Sequence, residues 1–355
     1  MTLFLVPIIL MLAYFAGYSI RRGSICVVLA ARTLIVDRKT ARFRAFSVAA
    51  AGSGAVIVPL HWLAPEAAML SAGYPVTVTA LWAGAAFGIG AWVNGACGLG
   101  TLAHLTGGNL NFAVSILGMA TGAILAVYVR GKEGLESVLR VSPLDRPEPL
   151  SVLIVLLFGA VLLVALSRRL PRWWRALQDP AGSRMGPYRS MLVFGVCGGL
   201  LYSLAGNWTY MSVLSRRAAR LVEPNLLPSG WPALLVAAAV VVGGIVAAVR
   251  AGNFNLRPPT LIGGVRCLIG GTIMGASASA IPGGNATLLL HGLPSLAPHA
   301  ISAYASMTFV LCALVFAVEL APDLWSRNPI DRTQMRSTGF KCLNRPGSVG
   351  DHQLK

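Results

Sequence analysis

Nine long apolar runs limit what this chain can fold into more than any other feature. They cover residues 3–20, 44–63, 76–96, 110–129, 150–167, 190–206, 232–249, 262–281 and 298–320. Most of them approach the roughly 20 residues that an α-helix needs to cross a bilayer. Only 12% of the 355 residues are charged, about half the share of an average soluble domain. The sequence predicts an all-α integral membrane protein with about nine transmembrane helices, with the lipid bilayer as its surroundings.

The basic residues predict how these helices are oriented. The net charge of +17 would indicate nucleic acid in a soluble protein. In a membrane protein it indicates cationic loops on the cytoplasmic side, with no nucleic-acid partner. Segments 21–44 and 168–189 are rich in arginine, whereas in loop 130–148 the basic residues are balanced by acidic ones. We therefore expect the N-terminus outside and the C-terminus in the cytoplasm, with Arg38 and Arg172 inside and Glu136 outside.

Two halves and a linker are expected along the chain. Residues 1–130 form a first repeat, 131–189 a linking span with an interfacial helix at 168–178, and 190–320 a second repeat. Residues 321–355 form a polar and flexible tail. A single linking span makes the second half enter the membrane from the opposite side, which is the arrangement of two inverted-topology repeats. "GAAFGIGAWVNGACGLGTLAH" and "GTIMGASASAIPGGNATLLLH" match at five positions 187 residues apart, although a chain rich in Gly and Ala can match by chance.

Each half contains an apolar run that ends in a glycine-rich break and then resumes briefly. The first break, "NGACGLGT", supplies five candidate residues: Gly95, Cys97, Gly98, Gly100 and Thr101. The second, "PGGNAT", supplies Gly283, Gly284 and Asn285. A short helix that starts inside the membrane presents free N–H groups and a positive dipole end, which favours an anion. The alternative is that these small residues serve only to let helices approach closely.

A third unusual segment is "RRGSICVVLAARTLI", which begins at Arg21. Cys26 lies where a short re-entrant helix could dip back into the membrane, and residues 206–221 occupy the comparable place in the second half. The alternative is an amphipathic surface helix with an inert cysteine. The remaining cysteines and histidines are scattered among apolar residues, and no metal-binding or catalytic motif is present. We expect no metal, no cofactor and no enzymatic activity.

These segments together resemble the YeeE/YedE family of membrane proteins, the sulfur-transport or thiosulfate permease family. "GSICVVLAARTL", "FGIGAWVNGACGLGTLAHLTGGNL" and "GGTIMGASASAIPGGNATLLLHGL" carry the resemblance. It implies a bacterial inner-membrane protein whose re-entrant helices form an hourglass, and uptake of a small sulfur-containing anion such as thiosulfate. It also implies that Cys26 and Cys97 contact the anion. Gly284 stands where the family has a third cysteine.

The chemistry of a thiol suits such a path. A protonated thiol is a weak donor and is polarisable, so it can contact a soft sulfur anion without holding it tightly. A second hypothesis is a sulfur-relay protein, in which these cysteines carry persulfide for a cytosolic sulfurtransferase. A third is a transport-inactive paralogue that lost function together with the cysteine at position 284.

Overall fold

The computed structural model describes residues 2–66, 68–71, 73–130, 142–167, 186–222, 231–281 and 283–320. Within these ranges, nine helical stretches are long and apolar enough to cross a membrane. The predicted all-α integral membrane protein is thereby confirmed. The interfacial helix expected at 168–178 lies outside the described residues, as do Arg172, Glu136 and the tail from 321.

Short helices lie between some of the long ones along the chain. The first half contains α1 (Thr2–Gly23), α2 (Val27–Ile35), α3 (Ala41–Leu63), α4 (Val78–Asn94), α5 (Gly98–Leu105) and α6 (Asn111–Arg130). The linking span is α7 (Pro149–Ser167). The second half contains α8 (Pro187–Ala205), α9 (Tyr210–Val222), α10 (Trp231–Arg250), α11 (Leu261–Ala280), α12 (Asn285–Thr287) and α13 (Pro298–Val315). Leu288–Gly292 and Phe316–Leu320 extend α12 and α13 in π-helical form.

The short helices agree with the breaks expected from sequence. The segment after Cys26 forms α2, and the segment after the first glycine-rich break forms α5. The comparable elements of the second half are α9 and α12. The residues at the two breaks are enclosed by protein, since Ala96 and Cys97 are completely buried and Asn285 is 2% exposed. Interrupted backbone inside a membrane requires such burial.

Contacts between long helices mostly join the two halves. α1 packs on α10, and α8 packs on α3. Under the expected repeats, α8 would be the counterpart of α1 and α3 that of α10. In the same reciprocal way, α4 packs on α13 while α11 packs on α6. α9 also contacts α6, as α2 contacts α13. The repeats proposed along the chain therefore interdigitate in space.

Glycines allow these crossings, because a Cβ would meet the backbone of the opposite helix. At Gly84 it would overlap the Ala303 carbonyl oxygen, and at Gly271, 187 residues later, the Ser115 carbonyl oxygen. Such close backbone approach is the usual role of small residues between membrane helices.

The linking helix α7 lies at the periphery. Most of its apolar side chains are exposed, so the surface they form suits contact with lipid acyl chains. Before α7, the segment from Ser142 is held to the end of α3, since His61 Nε2 lies 3.1 Å from Asp145 Oδ1 and Trp62 Nε1 donates to the Leu144 carbonyl oxygen over 2.9 Å.

Candidate functional site

Two thiols meet at the start of α5. The Cys97 side chain has no exposed surface, and its Sγ lies 3.7 Å from Cys26 Sγ. The backbone N–H of Val27 donates to Cys97 Sγ over 3.4 Å. Cys97 directly precedes α5 and Cys26 directly precedes α2. The starts of two short helices therefore converge on one pair of sulfur atoms.

The first break is stabilised by local hydrogen bonds. Gly95 ends α4 in the left-handed conformation, with φ of 78°, which glycine adopts without steric cost. Asn94 Nδ2 then donates to the Ala96 carbonyl oxygen over 2.7 Å and to Thr101 Oγ1 over 2.9 Å. Thr101, a predicted path residue, is thus placed as a partner that fixes the turn, one helical turn beyond Cys97.

Two glycines of α5 leave room at this point. A Cβ on Gly100 would lie 2.6 Å from Cys26 Sγ. A Cβ on Gly98 would lie 2.8 Å from Asn285 Oδ1, on the short helix of the other half. Both distances are shorter than ordinary van der Waals contact. The two glycines therefore let the Cys26 thiol and the Asn285 amide approach the α5 backbone.

The second break resembles the first where the short helix begins, but it has Gly284 in the place of Cys97. Gly283 turns the chain with φ of 109°. Gly284 precedes α12 with φ of −80° and ψ of −178°, close to the −74° and 178° of Cys97. Asn285 begins α12 and is only 2% exposed. Neither its Oδ1 nor its Nδ2 has a hydrogen-bond partner among the described residues, which is costly for a buried amide.

Sequence reasoning missed residues in α9, directly before it and in α12 that complete this site. Tyr210 Oη donates to the Gly98 carbonyl oxygen over 2.6 Å. Thr209, Ser212 and Thr287 form a buried group of hydroxyls, with Oγ separations of 2.8, 3.1 and 3.0 Å. The sequence contains one signal for this region: residues 206–221 occupy the place in the second half that the Cys26 segment occupies in the first. That signal identifies no individual side chain.

Arg21 stabilises the far end of α5. Its Nη1 donates to the Ala103 carbonyl oxygen over 2.9 Å, and its Nη2 to that of Asn253 over 3.2 Å. A cation at a helix C-terminus complements the partial negative charge there. The partial negative charge at the end of α5 is therefore compensated, whereas at its start the buried Cys97 occupies the N-cap position.

Two of the five histidines stack on aromatic rings. His104 stacks on Phe112 with centroids 4.7 Å apart, and His291 stacks on Tyr202 at 4.5 Å. His291 Nε2 also lies 2.9 Å from the Met69 carbonyl oxygen. These contacts explain both histidines without a ligand.

Three further cysteines lie in long helices. Cys197 and Cys267 are buried, and Cys312 is partly buried. No group of three or more His, Cys, Asp or Glu side chains able to hold a metal occurs in the described part of the chain. Of the predicted site, Cys26, Cys97, Gly98, Gly100 and Asn285 come together, and Gly284 directly precedes Asn285.

Comparison with known protein families assigns this chain to one of them. The family model described as "Sulphur transport" matches residues 22–313, a range that contains every residue of the site. The chain belongs to the sulphur-transport family. No curated protein matches the chain. Family membership makes it a multi-pass membrane protein for the transport of a sulfur compound.

Proposed function

We propose that this member of the sulphur-transport family takes up a small sulfur-containing anion, thiosulfate or a close relative, across the bacterial inner membrane. The observation that carries the proposal is the pair of thiols, Cys26 and Cys97, 3.7 Å apart at the starts of two short helices. Orientation follows from the charge distribution, with the N-terminus outside and the C-terminus in the cytoplasm.

The chemistry of the site fits such an anion. The positive ends of α2 and α5 attract negative charge, and the thiols offer polarisable contacts that release a substrate readily. The thiols act in their protonated form, because a thiolate would repel an anion. The unpartnered amide of Asn285 supplies a hydrogen-bond donor from the second half, opposite the thiols of the first half. The path therefore runs between the start of α5 and the start of α12.

The reciprocal contacts of the long helices support two inverted repeats around this path. Cys97 and Gly284 occupy matching places, each directly before a short helix and with nearly the same backbone angles. A pseudo-two-fold axis between them would put Gly98 opposite Asn285, the pair whose close approach is seen.

Growth rescue tests the proposal. A bacterium that cannot take up thiosulfate is supplied with this chain and grown on thiosulfate, sulfate or sulfide as the only sulfur source. We expect rescue on thiosulfate, and loss of that rescue with Cys97→Ala. Absence of rescue on thiosulfate, with normal protein in the membrane, would contradict thiosulfate uptake and favour a transport-inactive paralogue.

A sulfur relay is the second candidate, because two thiols this close could also hand a persulfide to a cytosolic sulfurtransferase. That chemistry needs a reactive thiolate. Alkylation of the intact protein at neutral pH separates the two. Fast modification of Cys26 or Cys97 favours the relay, whereas slow modification that thiosulfate slows further favours the permease.

A further inference from the structure

The second half lacks a thiol where the first half has Cys97. Gly284 is the counterpart of Cys97, because it lies 187 residues later and directly precedes the short helix α12 with matching backbone angles. Its φ of −80° lies in a region open to any residue. The glycine is therefore not required by its backbone conformation.

The side-chain space of Gly284 is occupied by another sulfur atom. A Cβ built on Gly284 would overlap Met211 Sδ, and its three nearest neighbours are all atoms of the Met211 side chain. Met211 belongs to α9 and is 3% exposed. The same Sδ lies 3.4 Å from the Cβ position of Gly98. The thioether thus lies between the start of α5 and the start of α12.

We infer that Met211 supplies the third sulfur contact of the path and determines specificity on the side of the second repeat. This inference rests on the proposed function. A thioether has no proton to donate, so it contacts a substrate through the polarisability of its sulfur. Beside it, the free amide of Asn285 can donate to an oxygen atom.

This combination defines a class of substrate. An anion that carries both a soft sulfur atom and oxygen atoms can satisfy Met211 and Asn285 together. Thiosulfate has both features, whereas sulfate lacks the soft atom and sulfide lacks the oxygen atoms. We therefore expect sulfate to compete poorly with thiosulfate for uptake.

Restoring the missing thiol requires Met211 to be reduced in size. In Gly284→Cys alone, the new Cβ overlaps the Met211 thioether. In the double variant Met211→Ala/Gly284→Cys, a thiol can take the space that the thioether leaves. Met211→Ala/Gly284→Ser adds a group of similar shape that carries oxygen instead of sulfur.

Uptake of ³⁵S-thiosulfate, normalised to membrane protein level, tests the inference. We expect Met211→Leu, which keeps the volume and removes the sulfur, to lower uptake about threefold to tenfold, the range that loss of one sulfur contact allows. Met191→Leu is the matched control, since Met191 is also 3% exposed but lies in α8. It should transport within about twofold of wild type, as volume-conserving swaps in a core do.

The double variants separate a sulfur contact from simple space filling. Met211→Ala should transport poorly, Met211→Ala/Gly284→Cys should recover at least half of wild-type uptake, and Met211→Ala/Gly284→Ser should not. Wild-type uptake by Met211→Leu, or equal recovery with serine and cysteine, would overturn the role of Met211. If the wild-type chain takes up no thiosulfate at all, the proposed function itself fails, and the inference fails with it.

Discussion

Gly98→Ala tests whether the start of α5 faces the substrate path. The new Cβ would lie 2.8 Å from Asn285 Oδ1, 3.4 Å from Met211 Sδ and 3.6 Å from Tyr210 Oη. Only the first contact is too short, and Asn285 must retreat by about 0.5 Å to restore ordinary contact. All three neighbours belong to side chains on the second half, so the methyl group fills the gap between the halves.

The cost to folding should be small. Adding one methyl group to a packed site costs about 1–3 kcal/mol, and alanine recovers about 1 kcal/mol through its better helix propensity. We expect a net loss of about 0–2 kcal/mol in the free energy of unfolding. Transport should fall at least about tenfold, which corresponds to roughly 1.4 kcal/mol in the barrier to passage.

Two measurements separate these effects. Uptake of ³⁵S-thiosulfate by whole cells reports the barrier, and thermal unfolding of the purified protein in detergent reports stability. Gly159→Ala is the control, because nothing lies within 4 Å of its Cβ position on the lipid-facing helix α7. Wild-type uptake by a well-expressed Gly98→Ala variant would show that the substrate passes elsewhere.

Three more predictions concern single positions. Cys97→Ala should abolish thiosulfate uptake while its membrane level stays near normal, whereas Cys312→Ala should transport as wild type; loss of Cys97→Ala from the membrane would instead indicate a packing role. Gly283→Ala should lower the free energy of unfolding by at least about 1–2 kcal/mol, because its φ of 109° is unfavourable for alanine; an unchanged melting temperature would contradict this. An impermeant thiol reagent should label Glu148→Cys but not Arg38→Cys in intact cells, and labelling of both would refute the proposed orientation.

The sequence was sufficient for the helices and their breaks. A spanning helix is recognised from the apolar character of consecutive residues, so each run could be located within a few residues. Glycines next to Cys97 and next to Asn285 predicted two interruptions, since few other residues turn so sharply inside a membrane. Both interruptions are present, and short helices begin inside the two quoted breaks, at Gly98 and at Asn285.

The contacts that complete the site could not be predicted in this way. Met211 and Tyr210 lie more than 100 residues from Gly98 along the chain, and their pattern is that of an ordinary amphipathic helix. Their place beside α5 depends on how α9 packs on α6, a contact between distant segments. The resemblance to the family drew attention to Gly284 but not to the methionine that fills its space.

The interdigitation of the two halves has a consequence for synthesis of the protein. α1, α3, α4 and α6 are made first, yet their most extensive partners include α8, α10, α11 and α13. Before those later helices are synthesised, the glycine-lined grooves of the earlier helices lack their packing partners and are exposed to lipid. We therefore expect a chain truncated after α7 to be degraded by membrane proteases, and expression of the two halves as separate polypeptides to protect both.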